Sequence, residues 1–123
     1  MSELDYTYKE RQRDVNAGLY EPFFIADDAV FAIDGTTVSI QLTDPAGNPL
    51  KQVLGVLVSV CGGDVDDGVF TVTRGSIFED SAPNYTILTD EAGRIEGDVT
   101  GTPPQRICVI LPTGAVAISP DII

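Results

Sequence analysis

The chain has 123 residues, the size of one ordinary domain, and its 43% hydrophobic content is enough for a single core without disulfide or metal staples. Acids outnumber bases 19 to 7, a formal charge of −12 whose field repels nucleic acid and anionic membranes as partners. There is no His, which removes Ser-His-Asp, Cys-His and His-metal arrangements together, and no Trp to serve as a sugar platform.

The first 22 residues stand apart from the rest. Three of the seven basic residues, Lys9, Arg11 and Arg13, lie here among acids and Tyr6, Tyr8 and Tyr20. Leu4, Tyr8 and Arg11 share one helical face, but no longer apolar stripe sustains a helix. Residues 1–22 therefore read as an extended or partly helical arm, and 23–123 as one domain. The arm is either a frayed, solvated terminus or an attachment segment, in which Tyr6, Tyr8, Arg11, Arg13 and Tyr20 contact a partner, since Tyr and Arg are enriched at interfaces. The start carries neither the basic n-region nor the apolar h-region of a signal peptide, and the longest nearly apolar run, 53–61, is far short of a membrane span. Folding in a cytoplasm is the expectation.

From Ala29 onward the pattern is that of β-structure. Thr36-Thr37-Val38-Ser39-Ile40-Gln41-Leu42 alternates polar and apolar residues with the period of two that marks a half-buried strand. Residues 53–60 form a continuous β-branched apolar run, which predicts a strand deep in the core. Further strands are predicted over 69–73, 85–89, 94–100, 106–111 and 115–118. Turn signals separate them: Asp34-Gly35, Asp44 to Pro49, Gly62-Gly63, Asp67-Gly68, Gly93, Pro103-Pro104 and Thr113-Gly114. Seven or eight short strands without a helix after residue 22 predict an all-β fold, an antiparallel β-sandwich.

One segment echoes another. Leu42-Thr43-Asp44-Pro45-Ala46-Gly47 returns as Leu88-Thr89-Asp90-Glu91-Ala92-Gly93, identical at five of six positions with an offset of 46. Each reads as a strand end followed by an Asx turn, the Asp accepting from backbone N–H groups ahead of it and the Gly supplying a positive φ. One echo at this spacing is no solenoid repeat.

With Asn48-Pro49-Leu50 after the first copy, these turns resemble those of bacterial immunoglobulin-like domains of the invasin and intimin type. There an early strand ends in D-x-x-G-x-P and a later one carries T-D-x-x-G. The resemblance runs from Val30 to Ile118 and implies an Ig-like sandwich, a fold that hosts many functions. Adhesins of that type string many such domains in series behind a signal. A single acidic domain with a polar arm and no signal is instead similar to structural proteins of tailed bacteriophages, capsid decoration (cement) proteins and tail or head-fibre components among them.

The remaining polar features have plain readings. Asp64-Val65-Asp66-Asp67-Gly68 superficially matches the start of an EF-hand loop, but Gly75 stands where the distal Glu would be, so it reads as a solvated acidic hairpin tip and no metal site is expected. Asp27-Asp28 and Glu79-Asp80 are surface pairs without a base beside them. Among 19 acids some carboxylate pair at a glycosidase separation is inevitable and discriminates nothing. Asn84-Tyr85-Thr86 fits the glycosylation sequon by chance. Cys61 and Cys108 lie in apolar strands; they read as two buried free thiols, the alternative being a disulfide worth about 4 kcal/mol. Ile122 and Ile123 end the chain either against a neighbouring subunit or folded back on their own core.

The expectation from sequence is thus a non-enzymatic virion protein, without cofactor, assembled in a host cytoplasm. Its partner would be the major capsid protein or another virion protein, and it would form a homo-oligomer, a trimer by preference. The arm would attach it, and acidic loops such as Asp64 to Asp67 would face solvent. Two readings compete with this one: a recognition module whose loops bind host-surface glycans or proteins, and an acidic mimic of nucleic acid.

Overall fold

The computed structural model describes residues 26–123. These form nine strands: β1 (Asp28–Asp34), β2 (Thr37–Thr43), β3 (Gly55–Cys61), β4 (Val69–Arg74), β5 (Ser76–Ser81), β6 (Asn84–Leu88), β7 (Arg94–Thr100), β8 (Arg106–Ile110) and β9 (Val116–Ile118). All pairings are antiparallel, in a four-stranded sheet of order β1-β2-β7-β4 and a five-stranded sheet of order β5-β6-β3-β8-β9. The fold is the expected all-β sandwich. Its strand order places β1, β2, β7 and β4 where an immunoglobulin domain has A, B, E and D, and β3, β8 and β9 where it has C, F and G. The hairpin β5–β6 is added on the free side of β3.

The inward residues follow the period of two along each strand. Val38, Ile40 and Leu42 of β2 and Ile95 and Val99 of β7 meet Val56, Val58 and Val60 of β3, Ile87 of β6 and Ile107 and Val109 of β8. Two rings lock the layers together. Phe70 on β4 and Tyr85 on β6 meet edge to face at 6.4 Å, and the buried Tyr85 hydroxyl accepts from the Phe70 N–H at 3.2 Å. Phe70 fits only because β7 has Gly97 beneath it: a β-carbon there would fall 2.6 Å from the Thr71 carbonyl oxygen and 2.7 Å from the Phe70 ring.

The two echoed turns take the conformation predicted for them. Asp44 Oδ1 accepts from Ala46 N–H at 3.0 Å and Asn48 N–H at 2.9 Å; Asp90 Oδ1 accepts from Ala92 at 2.9 Å and Arg94 at 3.0 Å. The fourth residue of each, Gly47 and Gly93, has φ of +87° and +70°. Accepting the Asn48 and the Arg94 N–H, respectively, holds each carboxyl below its usual range, with the Arg74 guanidinium adding to the effect at Asp90. Such turns end a strand and launch the next in fixed register, which is why the two segments share five of their six residues.

Three expectations are corrected. The sequence reads seven or eight strands and the structure has nine: Ser76–Ser81 is a strand whose six residues are all exposed, so no alternation betrays it. The run 53–60 is not a strand deep in the core. β3 is central in its sheet, but only Val56, Val58 and Val60 face inward, because nothing described covers the other side of that sheet and Leu57 looks outward, 38% exposed. The cysteines are free but half-buried rather than buried, for the same reason.

Candidate functional site

The two outer faces of the sandwich differ in chemistry. On the four-stranded sheet, outward polar residues of β2, β7 and β4 form a lattice, with Val30 of β1 and Val69 of β4 exposed at the two edges. Thr37 Oγ1 donates to Asp98 at 2.6 Å, Ser39 Oγ donates to Glu96 at 3.2 Å, and Arg94 reaches both Ser39 (2.8 Å) and Glu96 (3.3 Å). Arg74 pairs with Asp90 and lies 3.8 Å from Glu96. Three of these contacts are direct cross-strand pairs, Thr37 opposite Asp98, Ser39 opposite Glu96 and Arg74 opposite Glu96, and Arg94, opposite Gln41, reaches Ser39 diagonally.

On the five-stranded sheet the same registers align apolar residues. Leu57 of β3 stands opposite Ile110 of β8, which stands opposite Val116 of β9; one step along, Ser59 stands opposite Cys108, which stands opposite Ile118. Ile110 is 40% exposed, Val116 58% and Ile118 57%. This is an apolar path across three strands of a chain with 19 acids, and contiguous apolar surface of this kind marks interaction sites. At its β5–β6 side lies a shallow depression of about 120 Å³ lined by Leu57, Glu79, Ser81, Asn84, Tyr85 and Thr86. Its volume is below the roughly 300 Å³ at which small-molecule pockets begin.

Cys61 and Cys108 belong to this face. Cys61 is opposite Arg106 and Cys108 opposite Ser59, so the thiols are diagonal neighbours, and Cys61 is within hydrogen-bonding reach of Cys108. Burial first, then that contact and the charge of Cys61, push the Cys108 thiol up to about 11, so it stays protonated at neutral pH. Diagonal strand neighbours sit at Cα separations of about 7–8 Å, wider than a disulfide spans.

The other predicted residues fall as follows. Tyr6, Tyr8, Arg11, Arg13 and Tyr20 lie outside the described residues, as does the boundary between 22 and 23. Ile122 and Ile123 take the second of their two alternatives: Ile122 N–H donates to the Gln105 carbonyl at 2.7 Å, Gln105 N–H donates to the Ile123 carbonyl at 3.0 Å, and Ile122 is 9% exposed in the chain's own core. Of the acidic run, Asp67 has a structural task. It accepts from the Thr102 hydroxyl at 2.6 Å and the Thr102 N–H at 3.0 Å, which lowers its pKa and ties the β3–β4 loop to the β7–β8 loop. Among the described residues no three metal-ligating side chains converge, and no helix is long and apolar enough to cross a membrane.

Sequence reasoning passed over Leu57, Ile110, Val116 and Ile118. Each sits in a run that reads as core, and the register that joins them across β3, β8 and β9 is a property of the topology. Compared with protein-family models, curated proteins and solved structures, the chain matches none of them.

Proposed function

We propose that the protein is a structural component of a tailed-phage virion, a capsid decoration protein that packs the outer face of β3, β8 and β9 against the particle. One observation carries this reading: the side of the sandwich that bears Leu57, Ile110, Val116 and Ile118 is apolar and covered by none of the described residues, on a chain of charge −12. The likeness of the paired Asp turns to immunoglobulin-like domains supports the same class. Moving these half-exposed side chains out of water contributes about 1 kcal/mol each, half the value for full burial. Three or four of them supply the anchor of a small interface, and the acid-rich remainder of the surface points outward and keeps decorated particles apart.

The test is co-sedimentation of the purified chain with capsids of the phage that encodes it. The wild-type chain pellets with particles, whereas the double variant Leu57→Glu, Ile110→Glu stays in the supernatant while melting within a few degrees of wild type. A double variant that pellets as well as wild type removes the face from the reading. A wild-type chain that ignores capsids but is retained by bacterial cells moves the assignment to a host-recognition module.

A further inference from the structure

The chain enters the described fold beside β9. Ala26 is fully buried and its carbonyl accepts from the Thr113 hydroxyl at 3.2 Å; the next residue, Asp27, donates its N–H to the Thr43 carbonyl at 3.0 Å and leads into β1. Thr113 lies in the turn from β8 into β9, so the residues before Ala26 start from the head of β9. They are Glu21-Pro22-Phe23-Phe24-Ile25, three large apolar side chains leading into a buried alanine. β9 is the last strand of its sheet among the described residues. On it Ala115 accepts from Leu111, Ser119 donates to Ile107, and Ala117 faces Val109 between them. The backbone N–H and C=O of Val116 and Ile118 therefore point away from β8, along the outer edge.

We infer that residues 21–25 of this chain occupy that edge as one further strand, antiparallel to β9. The direction follows from the entry point: a segment that ends at the head of β9 and lies along it runs opposite to it. The register follows from the same contact. With Ala26 level with Thr113, counting back sets Phe23 opposite Val116, Pro22 opposite Ala117 and Glu21 opposite Ile118. Proline checks that count independently, because it has no N–H to donate and fits a strand only where its nitrogen faces away from the neighbour. The backbone groups of Ala117 are directed at β8, so the residue opposite it on the other side directs its own groups outward, and Pro22 falls there. A shift of one residue would set Pro22 opposite Val116 or Ile118 and lose a ladder bond.

Tethering selects this occupant over a separate partner. Glu21 is five residues from Ala26 and Ile118 is five residues from Thr113, so the segment matches the edge in length. Closing so short a connection costs far less than capturing a free chain. A second copy would bring a charge of −12 against −12, whereas the five residues of this segment hold one acid, Glu21. Alternation turns Phe24 to the core side, opposite the half-buried Ala115, and Phe23 to the outer side beside Val116. The strand leaves the outer face of the sheet open and lengthens its apolar row, Leu57-Ile110-Val116, by Phe23. Pro22 on the new edge blocks further pairing. The inference holds whether or not that face meets a particle.

NMR of the full chain at about 50 µM and about 1 mM tests it, with the mass taken by sedimentation equilibrium. The expected result is nuclear Overhauser contacts from Phe23 to Val116 and from Glu21 to Ile118. The Val116 and Ile118 amides should exchange at least 100-fold more slowly than in an unfolded peptide, equally at both concentrations and at the mass of one chain, 13.1 kDa. Phe23→Pro removes the N–H offered to Val116 and should speed exchange at Val116 and Ile118 at least tenfold while Val58 and Ile107 stay protected. Pro22→Ala should leave all four within threefold. Missing contacts, unprotected Val116 and Ile118 amides in the wild type, protection that comes only with a doubled mass, or undiminished protection in Phe23→Pro overturns the strand. Capsids enter none of these readouts, so the two claims fail separately. A chain that shows the contacts yet ignores capsids overturns the virion reading alone, and one that pellets with capsids but lacks the contacts overturns the strand alone.

Discussion

The two outer faces of this sandwich differ at their centres: the four-stranded sheet carries a polar lattice across β2 and β7, the five-stranded sheet an apolar row across β3, β8 and β9. On the four-stranded side the outward polar residues find partners, Thr37 with Asp98, Ser39 with Arg94 and Glu96, Arg74 with Asp90, while Val30 on β1 and Val69 on β4 stand exposed at the sheet's two edges. On the five-stranded side the outward residues of β3, β8 and β9 are mostly side chains that a soluble surface ordinarily excludes. A monomer gains nothing in stability from exposing Val116 and Ile118. The difference teaches that cross-strand polar pairing fills the centre of one sheet, where the centre of the other presents Leu57, Ile110 and Val116.

The comparison can be broken most sharply by exchanging the character of the faces. Leu57→Glu with Ile110→Glu should cost at least 100-fold in particle binding with little loss of folding stability, measured by pelleting and by thermal melts side by side. Inside the sandwich the order reverses. Gly97→Ala drives a methyl group into Phe70 and the Thr71 carbonyl and should cost about 1–3 kcal/mol in urea unfolding, as overpacked cores do, without touching either outer face. Tyr85→Phe leaves the Phe70 N–H without its acceptor and should cost about 1–2 kcal/mol in the same assay.

Smaller effects belong to the polar face. Glu96→Gln removes the hub of the lattice. Because Arg74, Arg94 and Glu96 are each about one-third exposed, the loss should be about 0.5 kcal/mol, shrinking as salt rises, with particle binding unchanged. Acid should loosen the turns and loops that join the strands. Asp44, Asp67 and Asp90 have pKa values below the ordinary 3.8 in the folded chain, so the stability they contribute is fully present above about pH 5. It is lost as pH falls below that value and through their folded pKa values, because the unfolded chain takes up protons first. Melts from pH 7 to pH 2.5 should be flat at first and then fall, and Asp90→Asn should flatten part of that fall.

Much of the frame is legible in the sequence because its signals are local. The alternation of residues 36–42 and the Asp-x-x-Gly turns each depend on a few neighbouring residues, and both appear in the structure as read. β5 is not legible: Ser76-Ile77-Phe78-Glu79-Asp80-Ser81 has neither period nor apolar run, and only its ladder with β6 makes it a strand. The bare face is illegible for a different reason. Val56-Leu57-Val58-Ser59-Val60 has the composition of a strand covered on both sides, and no local rule tells which side the fold leaves open. Leu57, Ile110 and Val116 are brought into one row by the register of strands far apart in the chain.

Amide hydrogen exchange of the chain, alone and bound to capsids at equal concentration, reports on both faces at once. An interaction site on the five-stranded side predicts slowed exchange in β3, β8 and β9 on binding, with β2 and β7 unchanged. Slowing confined to β2 and β7 would place the contact on the polar lattice and contradict the account.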